Sequence, residues 1–552
     1  MLPAEVWSLI ITKLDKPEAK SFSSTSRHFR ALALPKLFSS IRFRFGLPFD
    51  TDEYDEMDEE RARRTLETLE KIVNPSENEL DFAHMIRELQ VIIVGSPFFG
   101  KDVPRSLPLA LKRLKKLQTF FWIGAHLSPL VVNELASLDR CSLFLCAYEI
   151  DDVYANVLRL SSNVKSIETI NEWAPFTSKH VDSNDVEDVL EEIITRHWES
   201  LESLGLDSSC MRALSRGYFD DKLAGITTNL THLAVENSSE CFALRTIFCQ
   251  AHALESLALI ESESIYLPLD ENALPNLRDL KVGIQRRLHS SGTYPNMISA
   301  ARTIHDFILL HKGIRRFDFS QYISWIEEDE PKENLDDNAA WLSNILDAVC
   351  TLENVAALGL TFPALTITDM EDALLRVADC GALKKTCKAL HLGGITNVPL
   401  WDWTFEFPLC TFLALSNRRP EQRTNTYYAL TPRSVLLNHK DLHLEQLCLH
   451  GSLFDNLSIS PDGKVDYEFW SDFRAFRRTE KDFCSLDAYW LMRYRLLSER
   501  YDDDESYYSD ENEEDTEDEW TTVAEDEEVD DVVEHEEDEA ADDDDIGGLI
   551  VN

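Results

Sequence analysis

A chain of 552 residues is too long for one compact core, so its length predicts three or four domains or one extended repeat array. The net charge of -46 is uneven: 27 acids and no Lys or Arg lie from Tyr501 onward, while residues 1–500 set 54 bases against 73 acids, leaving no basic face for nucleic-acid phosphates. Eleven scattered cysteines without a C-x-x-C pair predict reduced thiols of a cytosolic or nuclear protein, and the lack of a leader pattern or of an apolar run near ~18 residues argues against secretion and membrane spanning.

Taken in chain order, Leu2, Val6, Leu9, Ile10 and Leu14 follow a helical rhythm with Pro3 at the entrance, which predicts an amphipathic helix. A second helix is expected from about Glu18 to Arg30 and a third, shorter one from Leu34 to Ile41. Three such helices make too small a core to stand alone, so residues 1–45 are expected to dock onto something. The acidic run DTDEYDEMDEE marks a linker over 46–60, followed by a helix from about Glu59 to Val73 with Leu66, Leu69, Ile72 and Val73 on its buried face.

Beyond it the dominant feature is repetition of L-x-x-L-x-L with apolar substitutes. Copies begin at Ile86, Leu117, Leu201, Leu230, Leu254, Leu277, Ile314, Val355, Cys387 and Leu444, with weaker ones at Leu138 and Val164. From Leu201 the starts are 29, 24, 23, 37, 41, 32 and 57 residues apart, so several copies imply insertions. Amphipathic helical segments such as DVEDVLEEIITRHW precede the copies, and each unit therefore reads as a strand plus a helix that needs neighbours to bury its apolar face. The expected fold is α/β: an irregular solenoid over 61–450, parallel strands on its concave side and helices on its convex side. An aromatic-rich cap is expected over 451–500 and a disordered acidic tail over 501–552.

No phosphate loop, dinucleotide fingerprint, H-E-x-x-H or G-x-S-x-G is present, and VGSPFFG (94–100) lacks the Lys and Ser/Thr of a phosphate loop. No catalytic site, cofactor or metal is expected. Strand alternation instead sends the residues between the leucines to one concave surface, where Asp207, Glu236, Lys281, Asp318, His391 and His450 are the candidate partner-binding residues among many small neighbours. Trp401 and Trp403 lie in an insertion and read as core or as an aromatic anchor.

The first forty residues also carry a resemblance. Leu2, Pro3, Glu5, Val6, Ile10, Leu14 and Asp15, followed by Ser26, Arg27, Phe29, Arg30, Leu32, Pro35, Leu37 and Phe38, resemble an F-box. With the repeats, the chain resembles fungal F-box/leucine-rich-repeat proteins. That resemblance implies a non-enzymatic substrate receptor of an SCF-type ubiquitin ligase. Leu2, Pro3, Val6, Ile10 and Leu14 would then enter the Skp-family linker on the cullin ligase core, and the solenoid would hold a protein target. The alternatives are a leucine-rich-repeat scaffold with no ligase role and an acidic-tailed binder of basic proteins.

Overall fold

A computed structural model describes residues 4–494 apart from 15, 46–55, 77–80, 94–104, 125–126, 139, 148–151, 171–182, 198, 216–226, 237–241, 263–264, 287–296, 324–334, 362–366, 394–406, 417–431, 439–442, 450–451, 461–463, 471–479 and 481–482. Leu2, Pro3, His450, Trp401, Trp403, the VGSPFFG stretch, most of the linker and the acidic tail lie outside the described residues. The chain divides into two compact bodies, one containing Met1–Ala33 and the other formed by Leu34–Asp503.

The N-terminal segment folds as α1 (Ala4–Lys13), α2 (Lys16–Ser24) and α3 (Arg27–Leu37). The second helix expected over 18–30 is broken at Thr25 and Ser26. The hydroxyls of Ser23, Ser24 and Thr25 donate to carbonyls three residues back, and Ser26 Oγ accepts from Phe29 N at 3.2 Å to open α3. The third helix expected over 34–41 does not form: α3 ends at Leu37 and the chain becomes a strand, because Ile41, Phe43 and Phe45 alternate with Arg42 and Arg44 and all three apolar side chains are buried.

Among the described residues, sixteen strands join one open sheet in chain order. They are β1 (Ser40–Phe45), β2 (Glu88–Ile93), β3 (Thr119–Gly124), β4 (Ser142–Ala147), β5 (Val164–Glu168), β6 (Ser203–Leu206), β7 (His232–Glu236) and β8 (Ser256–Ser262). The sheet continues through β9 (Asp279–Arg286), β10 (Arg316–Ile323), β11 (Ala357–Thr361), β12 (Ala389–Gly393), β13 (Phe412–Ser416) and β14 (Gln446–Leu449). All pairings to this point are parallel, and β15 (Ser452–Ile459) and β16 (Val465–Trp470) then close the series antiparallel. The 57-residue gap after Cys387 thus holds a further unit: Cys410, Leu413 and Leu415 carry the same pattern, and all three are buried.

One face of the sheet is covered by the intervening helices α4 (Glu56–Val73), α5 (Ser106–Arg113), α6 (Pro129–Ala136), α7 (Asp152–Leu160), α8 (Ser183–Glu192), α9 (Ser208–Ser215) and α10 (Phe242–Gln250). The layer continues with α11 (Met297–Leu310), α12 (Leu335–Val349), α13 (Ile367–Asp379) and α14 (Gly381–Thr386), and α15 (Pro432–Asn438) lies against β15 and β16. Successive helices pack side by side from α4 to α10 and from α11 to α14. In α4, Leu69 and Ile72 are buried as expected, but Leu66 is 49% exposed, so the apolar face is narrower than its pattern suggests.

Register explains the repeat. Leu233, Leu257, Leu280, Phe317, Leu358, Leu390, Leu413 and Leu447 are successive ladder partners, all buried under the helices. Each such side chain contributes roughly 1.5–3 kcal/mol on burial. At strand entry one carbonyl accepts two consecutive N–H groups from the next unit: Thr231 O from Glu255 and Ser256, Glu255 O from Arg278 and Asp279, Arg278 O from Arg315 and Arg316. The same arrangement recurs at Arg315, Ala356, Lys388 and Thr411.

Phe317→Ala should lower unfolding free energy by about 3–5 kcal/mol, whereas Leu66→Ala should change it by no more than about 0.5 kcal/mol, both read from urea denaturation. Buried His197, whose Nε2 sits 2.7 Å from Leu158 O, and His311, tilted against the Phe307 ring with centroids 4.1 Å apart, are held below the ordinary histidine pKa by burial. The unfolded chain therefore takes up these protons first. Stability should be complete above about pH 6.5 and fall as acidification proceeds below it, with His311→Leu flattening the decline in melting temperature between about pH 7.5 and 5.5.

Candidate functional site

Two surfaces were singled out by sequence, and the structure treats them differently. On the N-terminal helices, Trp7, Phe22 and Phe29 pack pairwise with ring centroids 4.4–5.6 Å apart, and Ile11 and Ala19 are buried with them. That small core draws on one side of α1. The other side leaves Val6 and Ile10 each 37% exposed and Leu9 69% exposed, while Leu14 at the helix end is half-buried. Leu9 belongs with the candidate stripe, one turn beyond Val6 and beside Ile10.

The second surface is the sheet face away from the helices. Alternation does place Lys281, Asp318 and His391 there, but the expectation that they meet solvent does not hold. Lys281 is 4%, Asp318 0% and His391 1% exposed. They are covered by residues 483–494, which include α16 (Leu486–Met492), a helix opened by Ser485 Oγ accepting from Ala488 N at 3.1 Å. Ala488, Leu491 and Met492 pack with Ala357, Ala389, Phe412, Ala414 and Cys448 of β11–β14. Tyr494, held at φ +69°, packs with Ile170, Ala234, Ala258 and Ile260.

Electrostatics fix this segment at both ends of its helix. At the first turn, Asp487 Oδ1 accepts from Arg316 Nε at 2.7 Å, and Arg316 also donates to Asp279 at 2.9 Å. At the last turn, Lys281 Nζ donates to Leu491 O at 2.8 Å and Arg493 O at 2.7 Å, lies 5.1 Å from the Trp490 ring, and pairs with Asp318 at 3.0 Å. A carboxylate at a helix start and an ammonium at its end both complement the helix dipole. Arg493 reaches Glu168 at 2.8 Å, and the Trp490 indole donates to Ser256 Oγ at 3.4 Å. Burial pushes the Asp279 carboxyl above its ordinary range, and Arg316 opposes that shift.

These few residues touch strands from β5 to β14. A flat sheet would separate those strands by nine spacings of ~4.8 Å, roughly 43 Å, which is beyond the reach of twelve residues of which seven are helical. The sheet therefore curls around the segment.

The remaining candidates take structural positions. Asp207 caps α9, its Oδ1 accepting from Cys210 N at 2.8 Å, and burial raises its pKa. Glu236 is half-buried at the end of β7, opposite Ile260 of β8. His391 Nε2 lies 3.2 Å from Ser416 Oγ. The small residues make room for strand neighbours: a Cβ on Gly205 would come within 2.6 Å of Glu168 Cγ, the residue that receives Arg493. Sequence reasoning missed Glu168, Asp279 and Arg316, although Asp279 and Arg316 stand two residues before Lys281 and Asp318, on the same face. It also missed Asp487 and Arg493, while Trp490 belongs to the aromatics of the stretch expected to cap the array.

No group of metal-ligating side chains occurs among the described residues. No disulfide links the described cysteines, and no helix among the described residues is long and apolar enough to cross a membrane. Neither a scan against protein-family models nor a search of curated proteins finds a match.

Removing one partner of the buried Lys281–Asp318 pair should be costly. Lys281→Met is expected to destabilise the sheet body by about 3–5 kcal/mol, and the double change Lys281→Met/Asp318→Leu should recover much of that loss, as measured by a denaturant double-mutant cycle.

Proposed function

We propose that this chain is a substrate receptor of an SCF-type cullin-RING ubiquitin ligase, with an F-box at its N-terminus and a leucine-rich-repeat solenoid behind it. The observation that carries the reading is the exposed Val6, Leu9 and Ile10 stripe on α1, beside a core of three helices closed by Trp7, Phe22 and Phe29. An apolar stripe on so small a helical body is what a helix-in-groove attachment requires. Val6, Leu9, Ile10 and Leu14, preceded by Leu2 and Pro3, enter the Skp-family linker, and the cullin core joins through it.

In this reading the chain performs no covalent chemistry. It holds a protein target near a ubiquitin thioester carried by another subunit, raising the effective concentration of the target's lysines. A scaffold without a ligase role is the second reading, favoured by the occupation of the inner sheet face by the chain's own residues 483–494.

Val6→Asp combined with Ile10→Asp should abolish capture by the Skp-family linker: losing two aliphatic burials of about 1.5–3 kcal/mol each weakens binding by more than roughly a hundredfold. The check is co-purification or calorimetry with the linker, alongside an unchanged urea transition of the sheet body. Binding that survives both charges, or a wild-type chain that does not bind, overturns the receptor reading and leaves the scaffold.

A further inference from the structure

The two faces of the sheet differ in kind. The helix-covered face is a ladder of Leu, Val and Phe. The face beneath residues 483–494 combines small residues with ion pairs that are complete within the sheet, Lys281 with Asp318 at 3.0 Å and Arg316 with Asp279 at 2.9 Å. Charge pairs closed within one surface survive exposure to water, whereas an aliphatic ladder does not. The inner face thus has the composition of a recognition surface.

The segment on it engages through a short pattern. Asp487, Trp490 and Arg493 stand three residues apart and meet Arg316, Lys281 with Ser256, and Glu168 respectively. Leu491 and Met492 fill the apolar ground between. Tyr494 closes the segment in a left-handed conformation that a bulky residue adopts only when its surroundings hold it.

We propose that residues 483–494 are a ligand carried in cis on the receptor face, and that the protein target reaching this face presents the same chemistry. That target offers a helix of about two turns with a carboxylate at its start, an indole and an aliphatic side chain one turn later, and a guanidinium three residues beyond the ring. The biological role rests on the receptor reading, while the occupancy does not. Tethering supplies an effective concentration in the millimolar range, so a free competitor meets a closed face until the segment is loosened.

The test uses the full chain carrying Trp490→Ala and Leu491→Asp, with a fluorescein-labelled peptide of residues 481–496 as probe. The loosened chain should keep a cooperative urea transition and bind the peptide, by fluorescence anisotropy, at least about tenfold more tightly than the wild-type chain does. Adding Arg316→Glu should weaken that binding about tenfold or more, and a peptide bearing Asp487→Lys should restore it. A loosened chain that loses its cooperative transition overturns the proposal, since the segment is then an integral part of the core. So does a folded chain that ignores the peptide or is indifferent to Arg316→Glu. Linker capture is read separately, so its failure removes the ligase role while a positive peptide result still stands.

Discussion

No unit of this sheet can complete its own hydrogen bonding or bury its own apolar face, and everything else follows from that dependence. At most entries a single carbonyl takes two N–H groups from the following unit, and the leucine, valine or phenylalanine two residues on continues a ladder begun by its neighbour. Helices between strands then share one side, where the continuous ladder of large apolar side chains is offered to them. The variation in unit length, from short links to the long stretch between β1 and β2, is absorbed in the connections between strands.

With one face committed to helices, the other is free to vary, and it has become polar, small and charged. Its charges are arranged across strands: Asp279 and Lys281 on β9 face Arg316 and Asp318 on β10. Such neighbours bring opposite charges together without help from any loop. α16 exploits that arrangement by its polarity as much as by its side chains, presenting carbonyls at one end to an ammonium and a carboxylate at the other to a guanidinium. The N-terminal helices solve a different problem, since three aromatic rings suffice to order them but not to hide the stripe on α1.

The leucine pattern made most of the strands legible because period-two alternation is local and repeated. It failed where a copy was disguised. Phe412–Ser416 went unseen although Cys410 leads it as Cys387 leads the copy before, and the helix expected over 34–41 ran into Ser40–Phe45 because Leu34, Leu37, Phe38 and Ile41 also suit a helical period. On α1 the rhythm of Val6 and Ile10 was readable, but the inward turn of Trp7 and the greater exposure of Leu9 depend on how three helices meet. Of the candidates that alternation puts on one face, Lys281, Asp318 and His391 are buried rather than exposed. Nothing near Lys281 in sequence announces Leu491 or Arg493, more than two hundred positions later, and pairing across such distances leaves no local periodicity to read.

That separation bears on how the chain folds. An array of strand–helix units contacts mainly its neighbours, so it can order progressively from any point as the polypeptide emerges. The bonds from Lys281 to Leu491 and from Glu168 to Arg493 span 210 and 325 residues, and they require the last described residues before the middle of the sheet is finished. During synthesis the inner face of β5–β14 therefore waits in water, its ion pairs already closed within the sheet, until the chain doubles back. A locally assembled array acquires in this way a late, long-range closing step, and its inner face is covered only once residues 483–494 have been made.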